Sequence, residues 1–189
     1  DAVGFYDRHP HWSKMGRMVA DVQWAVDELS QIDFLNTDKI FAAGYSLGGT
    51  VGLYSADLDS RLAGVVSVSG FTPMRLDTPE KGTEGITRYS HLHGLLPRLG
   101  FFIGEENRIP YDFHEILASI APRPALIIAP TRDRFATNDD ILACVNEVQK
   151  VYGLYEMPGI LQVNSPDDYN RFSSEMQSEV VRWLAKQMQ

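Results

Sequence analysis

Residues 39–52 read Lys-Ile-Phe-Ala-Ala-Gly-Tyr-Ser-Leu-Gly-Gly-Thr-Val-Gly, and their reading decides the fold. The apolar run 40–43 suits a short strand buried on both faces, and the small residues Gly48, Gly49 and Ala56 suit a helix packed close to it. Ser46 stands between them, with Gly44 two positions before it and Gly48 two after. A sharp strand-to-helix turn needs glycine at such positions, because neighbouring side chains collide where the backbone folds back. Such a turn would leave the Ser46 hydroxyl exposed above the sheet edge. The helix from Leu47 would aim its backbone N–H groups at negative charge developing on a substrate carbonyl, and the Leu47 amide is the natural first oxyanion donor. The plainer reading is a glycine-rich turn whose serine only caps the helix.

Outward from this stretch, residues 64–69, with Val65, Val66 and Val68, predict a second short strand, and strand–helix–strand in that rhythm implies a parallel crossover of the α/β class. Residues 125–129, Ala-Leu-Ile-Ile-Ala, predict a third buried strand and 160–163 a last one. On the near side, Ser13 is placed to cap a helix whose Met15, Met18, Val19, Val22, Val26 and Leu29 fall at helical spacing. Residues 1–11 show no period and read as a loop. Their His9 and His11 lack a partner cluster, so no metal site is expected there. Further helices are predicted over 112–120, from Asn138 with the acidic pair Asp139 and Asp140, and from Ser173 or Ser174, where Ser174 and Gln177 would form a capping box.

Prolines and glycines break residues 71–122 into an irregular segment, and so long an irregular stretch inside a compact domain is usually a lid or pocket wall. It carries His91, His93 and the aromatic run 99–103. Asp133 lies just past the carboxyl end of the third strand, on the rim that also holds Ser46. Its plainer reading is a loop carboxylate paired with Arg132 or Arg134.

The 189 residues, 44% of them hydrophobic, fit one domain with a sizeable core. A net charge of -8 argues against sequence-independent binding to nucleic acid or to an anionic membrane, and leaves a small-molecule substrate as the easier partner. The single cysteine, Cys144, excludes internal disulfides. No run approaches the apolar length that spans a bilayer. The chain starts at Asp1 without an initiator methionine, which leads us to expect a processed or truncated piece.

Gly44-Tyr45-Ser46-Leu47-Gly48, after a strand and before a helix of small residues, resembles the nucleophile elbow of the α/β-hydrolase family. The resemblance implies a parallel sheet with flanking helices, a single domain over 1–189, and a cap over the serine formed by the insertion 71–122. It implies a serine esterase that works through an acyl-enzyme without metal or organic cofactor. Ser46 would be the nucleophile, Leu47 N–H part of the oxyanion hole and Asp133 the acid that orients a histidine. The nearest branch is similar to dienelactone hydrolases and bacterial acetyl xylan esterases, which points to a small acyl ester, on a carbohydrate if the aromatic residues of the insertion stack on a sugar ring.

In that branch the catalytic histidine stands two residues before a phenylalanine that precedes the final helix. Here the position holds Asn170, two before Phe172, and no histidine follows His114. A neutral amide accepts no proton near neutral pH, so Asn170 is not the base. Three readings stay open: a base displaced to His91 or His93, with His93 preferred because Gly94 lets its loop approach closely; a catalytically impaired chain kept as a binding or scaffold module; or a base supplied from polypeptide outside this chain. The resemblance also covers only the second half of the fold, from the helix before the elbow onward. The earlier strands are missing, so the elbow strand has one side unpaired. That edge predicts either a homodimer or a longer parent polypeptide.

Overall fold

The computed structural model describes residues 2–83, 85–157 and 159–189. Its centre is a four-stranded parallel sheet in the order β1 (Phe41–Tyr45), β2 (Gly64–Val68), β3 (Ala125–Ile128) and β4 (Leu161–Asn164). The register aligns Phe41 with Gly64, Val65 with Ala125, and Ala125 with Leu161. Every residue of β2 and β3 is buried, as expected of short apolar strands covered on both faces. Alternation along them sorts the side chains into two cores. Val65, Ala125 and Ile127 pack with α2 (Lys14–Leu29), α3 (Leu47–Leu58), α4 (Phe113–Ile120) and α5 (Asn138–Leu154). Val66, Val68, Leu126 and Ile128 pack with Met176, Val180 and Trp183 of α6 (Ser174–Gln187). The parallel α/β sheet with flanking helices expected from the sequence is therefore what the chain forms.

β1 departs from the expectation of burial on both faces, for Ala43 is exposed and the strand's other residues are only half-buried. Among the described residues β1 has β2 as its one neighbour. Beside this edge, Met18, Val22, Ala42, Ala43, Leu47 and Val51 line a shallow apolar groove.

Two further corrections concern helix ends. Residues 1–11 were expected as a loop, yet Ala2–Arg8 form a short helix, α1. Contacts rather than periodicity stabilise it: the rings of Phe5 and Tyr6 meet edge to face at 5.1 Å, and the Tyr6 hydroxyl donates to the carbonyl of Gly94 at 2.8 Å. Seven residues are too few for a period to show. At α6 the cap is Ser173, whose hydroxyl accepts from Met176 N–H at 3.4 Å. The Gln177 side chain donates instead to the carbonyl of Phe172 at 2.9 Å, so the Ser174–Gln177 capping box does not form.

The stretch after β2 is a series of short 3-10 and π turns that lead into α4. It is irregular but tied down. Met74, Ile86, Leu95, Leu99 and Ile109 all enter the larger core. Asp112, fully buried, accepts from Met74 N–H at 2.7 Å, Arg75 N–H at 2.8 Å and Phe113 N–H at 2.7 Å. One carboxylate therefore caps α4 and pins the start of the irregular stretch to its end.

Candidate active site

Ser46 sits at the bend between β1 and α3 with φ 51° and ψ −121°. An L-residue in that region is strained and persists only where its surroundings hold it. Here its N–H donates to the carbonyl of Val68 at 2.8 Å, which fastens the bend to β2. The Ser46 side chain makes no capping hydrogen bond, so it is not a helix cap. The glycines divide unequally. A Cβ on Gly44 would lie 2.2 Å from the carbonyl carbon of Gly48, so the position two before the serine admits glycine alone. A Cβ on Gly48 would meet nothing within 4 Å, whereas one on Gly49 would lie 2.8 Å from Ser67 Oγ. The second constrained glycine is thus Gly49, which faces the sheet, and not Gly48, which faces solvent.

A cavity of about 210 Å³ opens above Ser46, with Leu47, Arg88, Tyr89, His93, Asp133 and Asn170 in its wall. The first N–H groups of α3 have no acceptor within the helix, and the Leu47 amide is the first of them. Asp133, 8% exposed, accepts from Phe135 N–H at 2.9 Å through Oδ1 and from the Asn170 amide at 2.8 Å through Oδ2. The Tyr45 hydroxyl donates to Asn170 Oδ1 at 2.6 Å, and its ring stacks on Phe172 at 6.1 Å. Burial, with the nearby Asp133 carboxylate, raises the Tyr45 phenol above its ordinary value, so it stays protonated and able to donate.

Of the two histidines expected near Ser46, His93 reaches the cavity wall and His91 does not. His93 follows the π turn Arg88–Leu92, and Gly94 beside it adopts φ 54°, the left-handed conformation that glycine takes freely. Three hydrogen bonds from the amino-terminal helices hold this segment: Lys14 Nζ to His93 O at 3.1 Å, Tyr6 to Gly94 O, and Met15 N–H to Leu95 O at 3.1 Å. The His91 ring turns away, with Nδ1 2.8 Å from Ser90 Oγ and Cε1 against Gly100. Among the described residues no hydrogen bond joins the Ser46 hydroxyl to an imidazole, and Asp133 is bonded to Asn170 rather than to a histidine. Among the described residues, no group of three or more His, Cys, Asp or Glu side chains is placed to hold a metal ion.

Two wall residues escaped sequence reasoning. Arg88 lies with its guanidinium 4.3 Å from the Phe135 ring centroid, a contact between the irregular stretch and the loop after β3. Burial pushes the Tyr89 phenol up to about 12. Neither residue carries a periodic or spacing signal, since both lie in the stretch without regular structure.

The model of the family described as glucuronyl esterase, fungi, matches residues 2–155. The carbohydrate esterase MZ0003, from an unknown prokaryotic organism, is 26% identical over 165 residues, which cover 82% of this chain and 38% of that protein. Among solved structures, a glucuronoyl esterase from Solibacter usitatus superposes with a TM-score of 0.78 at 16% identity, covering 92% of this chain and 48% of that one. The glucuronoyl esterase catalytic domain from Hypocrea jecorina gives a TM-score of 0.73 at 18% identity, covering 97% and 55%. The structural likenesses carry the fold. The chain spans about half the length of those two structures, and less of the curated relative.

Proposed function

Because this chain belongs to the glucuronyl esterase family, we propose that it hydrolyses esters of carbohydrate acids such as glucuronate, with Ser46 as nucleophile. The family supports the esterase of α/β-hydrolase fold expected from the sequence. It directs the substrate toward uronate esters rather than toward those of the dienelactone hydrolases and acetyl xylan esterases. In this reading Ser46 Oγ attacks the ester carbonyl carbon while His93, the one imidazole in the cavity wall among the described residues, takes its proton. The oxyanion of the tetrahedral intermediate is held by the Leu47 N–H. Collapse expels the alcohol, which carries away the proton, and leaves an acyl-enzyme. Water then repeats the sequence, releasing the sugar acid and returning the hydroxyl to Ser46.

The observation that carries this reading is the strained bend at Ser46, which presents its hydroxyl to a cavity shared with the first N–H of α3 and with Asp133. The test combines stoichiometric labelling by a fluorophosphonate, lost in Ser46→Ala, with turnover of a methyl ester of glucuronic acid, lowered by orders of magnitude in His93→Ala. An unlabelled serine at high probe concentration removes the hydrolytic reading. Unchanged turnover in His93→Ala removes the displaced base.

One observation favours a second reading, in which the chain binds carbohydrate esters without cleaving them. The partner of Asp133 is the amide of Asn170, which cannot relay a proton. Binding of the methyl ester without turnover, in a protein that the fluorophosphonate leaves unlabelled, is the outcome that reading predicts.

A further inference from the structure

The orientation of the Asn170 amide is fixed by the Asp133 carboxylate, and the Tyr45 hydroxyl anchors its other end. A carboxylate only accepts hydrogen bonds, so the group that faces Asp133 Oδ2 at 2.8 Å must be the amide nitrogen. The carbonyl oxygen Oδ1 then faces Tyr45, whose protonated hydroxyl donates to it at 2.6 Å. Turning the amide over would set an oxygen against the carboxylate and lose that contact; the Tyr45 hydroxyl also lies 3.0 Å from the Asn170 backbone carbonyl, so Asp133 decides which way the amide faces and Tyr45 anchors its oxygen end. Tyr45 is itself held in place, stacked on Phe172 and half-buried within the strand that leads to Ser46. An amide nitrogen carries two hydrogens; one is engaged by Asp133, and among the described residues the nitrogen has no second partner. Asn170 also lines the cavity above Ser46.

We infer that Asn170 is a substrate-binding residue, an orientation-locked hydrogen-bond donor for an oxygen of the bound carbohydrate ester, and that Tyr45 is the positioning residue that anchors it. The inference rests on the reading of the Ser46 cavity as an ester site and adds what the exchanged histidine position does there. Asp133 serves recognition in this arrangement: it orients a donor where a triad acid would orient a base. The ligand class is an acceptor oxygen without an acidic hydrogen, such as the carbonyl or ring oxygen of a uronate ester.

The test uses Ser46→Ala protein, which binds without reacting, and methyl glucuronate as the probe. Calorimetry should show binding that weakens about tenfold in Ser46→Ala/Asn170→Ala, the loss expected for one hydrogen bond. In Ser46→Ala/Tyr45→Phe, which keeps the donor and the Asp133 contact but removes the anchor at the amide oxygen, the loss should be smaller. Side-chain amide NMR supplies a readout that a merely structural role would not move. The two Asn170 hydrogens should resonate apart, and titration with the probe should shift the one not facing Asp133. Absence of binding to Ser46→Ala protein, equal affinity with and without Asn170, or a titration that leaves both amide hydrogens unmoved overturns the inference. The esterase reading stands or falls separately, on fluorophosphonate labelling of Ser46 in the unsubstituted protein.

Discussion

The amide nitrogen of Asn170 lies 2.8 Å from Oδ2 of Asp133, and both side chains line the cavity that holds Ser46. This is the contact an imidazole N–H makes with the acid of a serine hydrolase, here made by a group that cannot go on to accept a proton. On the proposed reading, the slot therefore keeps a carboxylate and lacks a base. Asn170→His should place one ring nitrogen as donor to Asp133 and the other as acceptor toward Ser46. In the His93→Ala background, which lacks the proposed base, turnover of methyl glucuronate should rise on the order of 10²- to 10⁴-fold, the usual contribution of a positioned general base. Its pH profile should show a new ionisation near that of an imidazole, about 6.5 before any shift by its neighbours. Steady-state rates across pH check this, and an unchanged rate in a folded variant would mean that the slot is not oriented for catalysis.

The glycines of the elbow give a stability prediction of opposite signs at neighbouring positions. Gly44→Ala forces a Cβ to within 2.2 Å of the Gly48 backbone, which only movement of the strand or of α3 can relieve. A loss of about 3 kcal/mol or more is expected from such overpacking against backbone. Gly48→Ala meets open space on an exposed helical turn and should be neutral, or stabilise by up to about 1 kcal/mol through helix propensity. Urea unfolding of the two variants beside the parent protein decides it. Equal losses would mean that the bend is not packed as described.

The same pair shows where sequence reasoning succeeds and where it stops. The strand, the bend and the helix around Ser46 are legible because short apolar runs and glycine spacing are local properties. β2, β3 and the apolar face of α2 are legible for the same reason. Which glycine is indispensable depends on what lies across from it, and Gly49 is constrained by Ser67 on the next strand. The Tyr45–Asn170 contact spans 125 positions of chain, so the asparagine at the expected histidine position could be read from the sequence but not its contact with Tyr45. The helix α1 escaped because its anchors, such as the Tyr6 bond to Gly94, are likewise remote in sequence.

The edge of β1 predicts a solution property. Ala43 is exposed on a strand with one described neighbour, beside a groove lined by Met18, Val22 and Val51. Unpaired backbone next to apolar surface invites edge-to-edge association. The 189-residue chain should self-associate in sedimentation velocity, and Ala43→Lys should shift it toward monomer by placing a charge on the edge. A monomeric parent at concentrations of tens of micromolar, or association indifferent to Ala43→Lys, would show that this edge is not the contact.

Asp77 makes stability depend on pH with a definite sign. It is 2% exposed, and burial pushes its carboxyl up to about 6, against the lowering effects of a hydrogen bond from Thr83 and the charges of Arg88 and Lys81. Its Oδ2 is buried without a hydrogen-bond partner among the described residues. The folded state thus holds the proton more tightly than the unfolded chain, whose aspartate ionises near 3.9. Between about pH 4 and 6 the folded state carries the extra proton, so the contribution of Asp77 to stability falls as pH rises through that window. Above it the deficit is constant, at roughly 3 kcal/mol by the linkage between pKa shift and free energy. Asp77→Asn removes the ionisation. The stability of the variant relative to the parent should therefore climb across that window and level off above it, whatever constant offset the amide adds. Urea midpoints measured from about pH 4 to 8 follow the difference directly, and a difference that stays flat would show that Asp77 ionises alike in the folded and unfolded chain.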